Sequence, residues 1–164
     1  AAKPQSLAMV PGAGPRHLAF HPNKRWVYIV NELNSSVTLI KRGDKGEFDI
    51  LQSITTLPGN YKQDNSCADI HVSPDGKYVY ASNRGHNSLV IFKVNGENGE
   101  LKMLGHQSTF GNTPRNFSIT PNGKYIVVAN QNSNNLVSFL RDSNSGLLQF
   151  IDQIEAPKPV CVLF

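Results

Sequence analysis

The chain has 164 residues, 39% hydrophobic and 17% charged, and sixteen Lys and Arg against twelve Asp and Glu leave a formal charge of +4. No apolar run nears the roughly 18 residues of a membrane span, no signal-peptide pattern is read at the start, and the basic residues do not interleave with aromatics as nucleic-acid binders require. Membrane and nucleic-acid partners are therefore not expected, while an anionic small molecule stays open on the strength of particular arginines.

Taken in order, residues 6–10 (Ser6-Leu7-Ala8-Met9-Val10) read as the last strand of a preceding unit. A full unit opens at Gly14-Pro15-Arg16-His17. It runs through apolar Leu18-Ala19-Phe20, a turn at Pro22-Asn23-Lys24, and the β-branched and aromatic Val27-Tyr28-Ile29-Val30. Pro presets one turn angle and Asn, Asp or Gly tolerates the others, so this pattern predicts a β-hairpin. Beyond Asn31 come a polar turn, a third run (Val37-Thr38-Leu39-Ile40) and, after Gly46, a fourth from Phe48 to Ile54.

The series returns with Pro74-Asp75-Gly76-Lys77 and Asn83, and again with Pro121-Asn122-Gly123-Lys124 and Asn130. The three prolines fall 52 and 47 residues apart (22 to 74, 74 to 121). Four antiparallel strands at this period make one propeller blade, and no helical periodicity of useful length competes. Repeats are expected over 14–57, 66–107 and 113–154, with residues 158–164 reading as the first strand of a later blade.

The expected fold is all-β, a partial β-propeller of three four-stranded blades. A ring typically closes with four to eight blades, and three alone leave apolar flanks and strand edges bare. The chain is thus expected to be part of a larger propeller, completed by further blades or by a second chain. Cys67 and Cys161 form no metal motif or disulfide framework. Read as reduced, buried small hydrophobes, they point to a cytoplasmic setting.

Aligning the copies separates scaffold from chemistry. The turns and apolar positions agree, whereas three columns do not: Arg16/Ala68/Arg115, His17/Asp69/Asn116 and Glu32/Arg84/Gln131. In each copy the first and last of these columns are symmetric about the hairpin turn. All of them therefore gather at the open end of the strands, at one mouth of the central channel. Guanidiniums there suit carboxylate or phosphate, an ionised Glu32 can act as a base or orient water, and His17 with Asp69 can relay a proton. The competing reading of the same residues is a set of structural salt bridges.

His71, on the same side as Asp69, can face the channel. His21 belongs to the turn end and reads as inert, and His86 and His106 fall in loops. The long segment 57–66 emerges on the site face and can cover the mouth, offering Tyr61 or Lys62. No metal or cofactor is expected.

At these residues the chain resembles the lactonase family of seven-bladed β-propellers, which includes propeller-type 6-phosphogluconolactonases and the 3-carboxy-cis,cis-muconate lactonising enzymes. The carriers are Gly14-Pro15-Arg16-His17 with Asn31-Glu32, Cys67-Ala68-Asp69-Ile70 with Asn83-Arg84-Gly85, and Thr113-Pro114-Arg115-Asn116-Phe117 with Asn130-Gln131. The end Pro157-Lys158-Pro159-Val160-Cys161 resembles the family's C-terminus, implying the C-terminal half of such a propeller. In the muconate branch the resemblance places Arg16, Glu32 and Arg84 on active-site positions, whose histidine partner belongs to an earlier blade.

The resemblance implies a metal-independent lactonase acting on an anionic sugar or organic-acid lactone. Catalysis is expected from Glu32, Arg16 and His17, and substrate contacts from Arg84, Arg115, Asp69, His71 and Gln131. A carboxymuconate-type cycloisomerase and a non-catalytic binding propeller are the alternatives.

Overall fold

The first hairpin turn of each blade is shaped by the same side-chain bond. Asn23, Asp75 and Asn122 accept the backbone N–H two residues on, from Arg25, Lys77 and Lys124, at 2.9, 3.1 and 3.0 Å. These Asx turns fold the strands back on themselves. The structure, a computed structural model, describes residues 6–43 and 46–164, which hold twelve strands and no helix.

Blade 1 comprises β1 (Pro15–Phe20), β2 (Trp26–Asn31), β3 (Ser36–Arg42) and β4 (Phe48–Thr55). Blade 2 comprises β5 (Cys67–Val72), β6 (Tyr78–Asn83), β7 (Ser88–Val94) and β8 (Leu101–Ser108). Blade 3 comprises β9 (Pro114–Ile119), β10 (Tyr125–Asn130), β11 (Asn135–Arg141) and β12 (Leu148–Glu155). Each is an antiparallel meander in chain order. β1, β5 and β9 lie beside one another as the inner strands, while β4 and β12 are largely exposed on the outside.

Alternation along blade 2 shows how blades cohere. Val79 and Ala81 of β6, with Val90 and Phe92 of β7, pack into a core shared with Tyr28, Val30, Val37 and Leu39 of blade 1. The intervening Tyr78, Tyr80, Leu89 and Ile91 pack into a second core with Ile126, Val128, Val137 and Phe139 of blade 3. A period of two thus buries both faces of one sheet against different neighbours.

Hydrogen bonds repeat at each joint. Tyr28 donates to Gly99 O at 2.8 Å and Tyr80 to Gly146 O at 2.7 Å. Those glycines have φ of 81° and 74°, and a Cβ on either would run into the Trp26 or Tyr78 ring. Asn83 donates to Thr56 O at 3.0 Å and Asn130 to Thr109 O at 2.8 Å, each reaching the exit of the preceding blade.

Several sequence expectations need correcting. Residues 6–10 and 158–164 carry no strand, because a strand needs a ladder partner and none lies beside them among the described residues. His106, expected in a loop, lies in β8. Cys161 is exposed; only Cys67 is buried. The outward positions Leu18 and Phe20 on β1 are 52% and 63% exposed, as the bare-flank expectation requires.

Candidate active site

The ladder slips at the same place in all three blades. Pro15 pairs with Asn31 and His17 with Val30, so Arg16 is the extra residue; the pairing likewise skips Ala68 and Asp69 in blade 2 and Arg115 in blade 3. A β-bulge re-aims the side chain it carries, and here it turns the variable columns toward the inner rim. Glu32, Arg84 and Gln131 follow immediately, with their N–H groups bonded to Gly14, Ser66 and Thr113 O.

Glu32 sits between two guanidiniums. Its Oε1 accepts from Arg84 Nη2, and its Oε2 lies 3.5 Å from Arg16 Nε. Arg16 comes from blade 1 and Arg84 from blade 2, so one carboxylate spans the joint. Two consecutive carbonyls at the start of β5 aim the guanidiniums: Arg16 Nη1 donates to Ala68 O at 2.5 Å, and Arg84 Nη2 to Cys67 O at 3.2 Å. Arg16 and Arg84 are 19% and 15% exposed and Glu32 32%, sheltered yet within reach of a ligand. Arg84 Nε is buried and has no hydrogen-bond partner among the described residues.

Beside this group, Asp69 collects five donors while only 5% exposed. Oδ1 accepts from His17 Nδ1 at 2.7 Å and Ile70 N at 3.0 Å. Oδ2 accepts from His71 Nε2 at 3.2 Å, Asn116 Nδ2 at 2.5 Å and Phe117 N at 3.2 Å. Burial alone would raise this carboxyl. Hydrogen bonding and charge from His71, then the bonds from His17 and Phe117, outweigh it and hold the group at about 2. One buried carboxylate therefore joins the inner strands of all three blades.

Arg16, Glu32 and Arg84 thus meet, as do His17, Asp69 and His71, and Arg16 links the two groups through a 3.2 Å contact with His17. Arg115 and Gln131 stand at the same end, half-buried, and make no side-chain hydrogen bond or ion pair among the described residues. Tyr61 turns to its own loop, donating to Asp64 O at 3.2 Å with its ring against His86, and Lys62 is exposed. The same segment supplies Asn65, whose Oδ1 accepts the Gly85 and His86 N–H groups at 3.0 Å each and so fixes the turn after Arg84. Nothing in the sequence marks Asn65 apart from the segment's length.

A shallow hollow of about 430 Å³ lined by Asp64, Asn65, Ser66, Arg84 and Gly85 opens on this side. A larger one of about 630 Å³ lies at the opposite, turn end of blade 3. Its Arg141 is already committed to Asp75 and Gly123 O, so the chemistry-bearing groups lie at the rim. His21, at that turn end, packs at a tilt against the Trp26 ring and contacts Gly76 O at 3.0 Å, a link between blades.

Three antiparallel meanders packed face to face, the middle one on both faces, with charged groups at the inner rim, define part of a β-propeller. Residues 1–164 match the family described as Lactonase, 7-bladed beta-propeller, and the chain belongs to that family. It is 39% identical over 161 residues to a 6-phosphogluconolactonase of Bacillus subtilis, covering 97% of this chain and 46% of that protein. The chain thus spans less than half of that relative's length. A crystal structure of a putative 6-phosphogluconolactonase from Bacteroides fragilis superposes with a TM-score of 0.87 at 43% identity, over 94% of this chain and 43% of that one. The periplasmic gluconolactonase of Pseudomonas aeruginosa gives 0.89 at 33% identity, over 93% and 43%.

Proposed function

We propose that the complete protein containing this chain is a lactonase that hydrolyses an anionic sugar lactone such as 6-phosphogluconolactone. The observation that carries this reading is the Glu32 carboxylate held between Arg16 and Arg84 across a blade joint, in a chain of the lactonase family. Arg84 and the unengaged Arg115 hold the substrate's phosphate or carboxylate. Arg16, braced by Ala68 O, stabilises the charge that develops on the lactone carbonyl oxygen. Preorganised donors of this kind contribute roughly 3–4 kcal/mol. Glu32 and His17 are the two candidates for handling the proton, and Gln131 and His71 border the substrate.

The ring is completed by further blades. Two observations support this. Leu18 and Phe20 are bare, and Asn116 Oδ1 accepts Val162 N at 2.6 Å, just as Asp69 accepts Phe117 N. That single contact is the one an inner strand of a fourth blade would make to blade 3. The unpaired cysteines suit a cytoplasmic setting.

The test is turnover of 6-phosphogluconolactone by the complete protein. Glu32→Gln and Arg16→Ala are each expected to lower kcat/KM about 10²-fold or more. Wild-type values in both variants remove the assignment.

A further inference from the structure

We infer that His17, held by Asp69, is the group that takes and returns the proton during hydrolysis, and that Glu32 serves instead to hold the two arginines. Asp69 is then a positioning residue rather than a substrate contact. This rests on the lactone-hydrolysis reading.

The hydrogen-bond directions make the case. A guanidinium has donors and no acceptor, so Arg16 Nη1, 3.2 Å from His17 Nε2, donates and Nε2 accepts. The ring hydrogen therefore sits on Nδ1, which donates to Asp69 Oδ1 at 2.7 Å. The imidazole is neutral, its tautomer fixed, and its lone pair is on the nitrogen beside Arg16. The His17 side chain is 45% exposed, so water reaches it, whereas Asp69 is 5% exposed and has spent both oxygens. Glu32 is worse placed for the proton, since each of its oxygens already faces a guanidinium. The arrangement is a base oriented by a buried carboxylate.

The step balances with water as the sole co-reactant. A water O–H proton passes to His17 Nε2 while the oxygen bonds to the lactone carbonyl carbon, and the C=O electron pair moves to the oxygen held by Arg16. Collapse breaks the ring C–O bond, and the departing ring oxygen takes the proton back from His17 Nε2. A hydroxy acid leaves, ionising to its carboxylate. Base and oxyanion donor meet at one atom, because Arg16 Nη1 contacts His17; a carbonyl oxygen that draws on this guanidinium frees the Nε2 lone pair. The charged and titratable groups around His17 are Arg16 on its own strand, Asp69 and His71 on β5, and the Glu32–Arg84 pair beyond Arg16.

The complete protein, assayed with 6-phosphogluconolactone across pH, tests this. His17→Gln is expected to lower kcat about 10²-fold with KM within threefold and to abolish the acid limb of the pH profile. Asp69→Asn is expected to lower kcat at least tenfold and displace that limb. Nitrogen-15 NMR of the histidines gives a readout free of turnover: His17 is expected as the Nδ1–H tautomer in the wild type and altered in Asp69→Asn. Wild-type turnover with an unaffected kcat and acid limb in His17→Gln, or an Nε2–H tautomer, overturns the assignment while leaving the hydrolysis reading standing. No turnover of any lactone by the wild type removes both. Should Asp69→Asn fail to fold, the exposed His17→Gln and the wild-type tautomer decide alone.

Discussion

Between blades 1 and 2, and again between blades 2 and 3, a tyrosine hydroxyl reaches a glycine carbonyl and an apolar core fills the gap. At the inner rim the two joints part company. The first carries Arg16, Glu32 and Arg84 in contact, with His17 on Asp69. The second has the Asn116 amide and the Phe117 N–H on Asp69, with the Arg115 and Gln131 side chains unengaged among the described residues. The same bulged backbone therefore bears chemistry at one joint and a plain link at the other. Stability resides in columns that repeat, and reactivity in columns free to differ because the bulge has taken them out of the ladder.

The most severe way to test the likeness in depth is to remove an aromatic from each core. Phe92 and Phe139 occupy the same column, are wholly buried, and face blades 1 and 2 respectively. Phe92→Ala and Phe139→Ala are each expected to destabilise the complete protein by about 3–5 kcal/mol in urea unfolding. Values differing by more than about twofold would show that the joints are not equivalent.

The next effect is read by pH at the carboxylate the two joints share. Asp69 is held at about 2, below its ordinary 3.8. A depressed carboxyl stabilises the fold above its unfolded value and loses that contribution as pH falls through the folded one. On the order of 2 kcal/mol should thus disappear between about pH 4 and pH 2, and Asp69→Asn should flatten that stretch of the stability curve. An unchanged acid limb of unfolding would mean that the five donors do not favour the charged form.

Much of this was legible in the sequence, for reasons the structure makes plain. The Pro-Asn/Asp turn is local chemistry, and the alternation along β6 and β7 is imposed by burial on both faces, so three blades could be read from the period alone. The rim columns Arg16, Glu32 and Arg84 could be found because repeats disagree where the ladder releases a side chain. Contacts between blades were harder. That His17 would bond Asp69, or Arg16 the Ala68 carbonyl, depends on how one sheet is rotated against the next, which no period within a sheet encodes. Asn116 was visible as a varying position, but not as the residue that fastens the next inner strand. Arg115 and Gln131 fit their columns by pattern, yet their side chains bond to nothing described, because the second joint has no carboxylate at the place of Glu32.

The mildest test asks whether the repeated staple is worth the same at both joints. Tyr28 and Tyr80 are wholly buried, and burial pushes both phenols up, so each stays neutral and donates its hydroxyl. The acceptors, Gly99 O and Gly146 O, lie in corresponding turns of the following blade at 2.8 and 2.7 Å. Replacing either tyrosine with phenylalanine keeps the ring in its core and removes one bond, leaving a buried carbonyl unpaired. About 1–2 kcal/mol is expected at each joint. Because the two sites sit in separate cores, the double variant should lose the sum. Equal losses that add would place the staple in the scaffold. A clear excess at Tyr28 would mean that the joint bearing Arg16, Glu32 and Arg84 leans on its tyrosine to hold the charged rim in register.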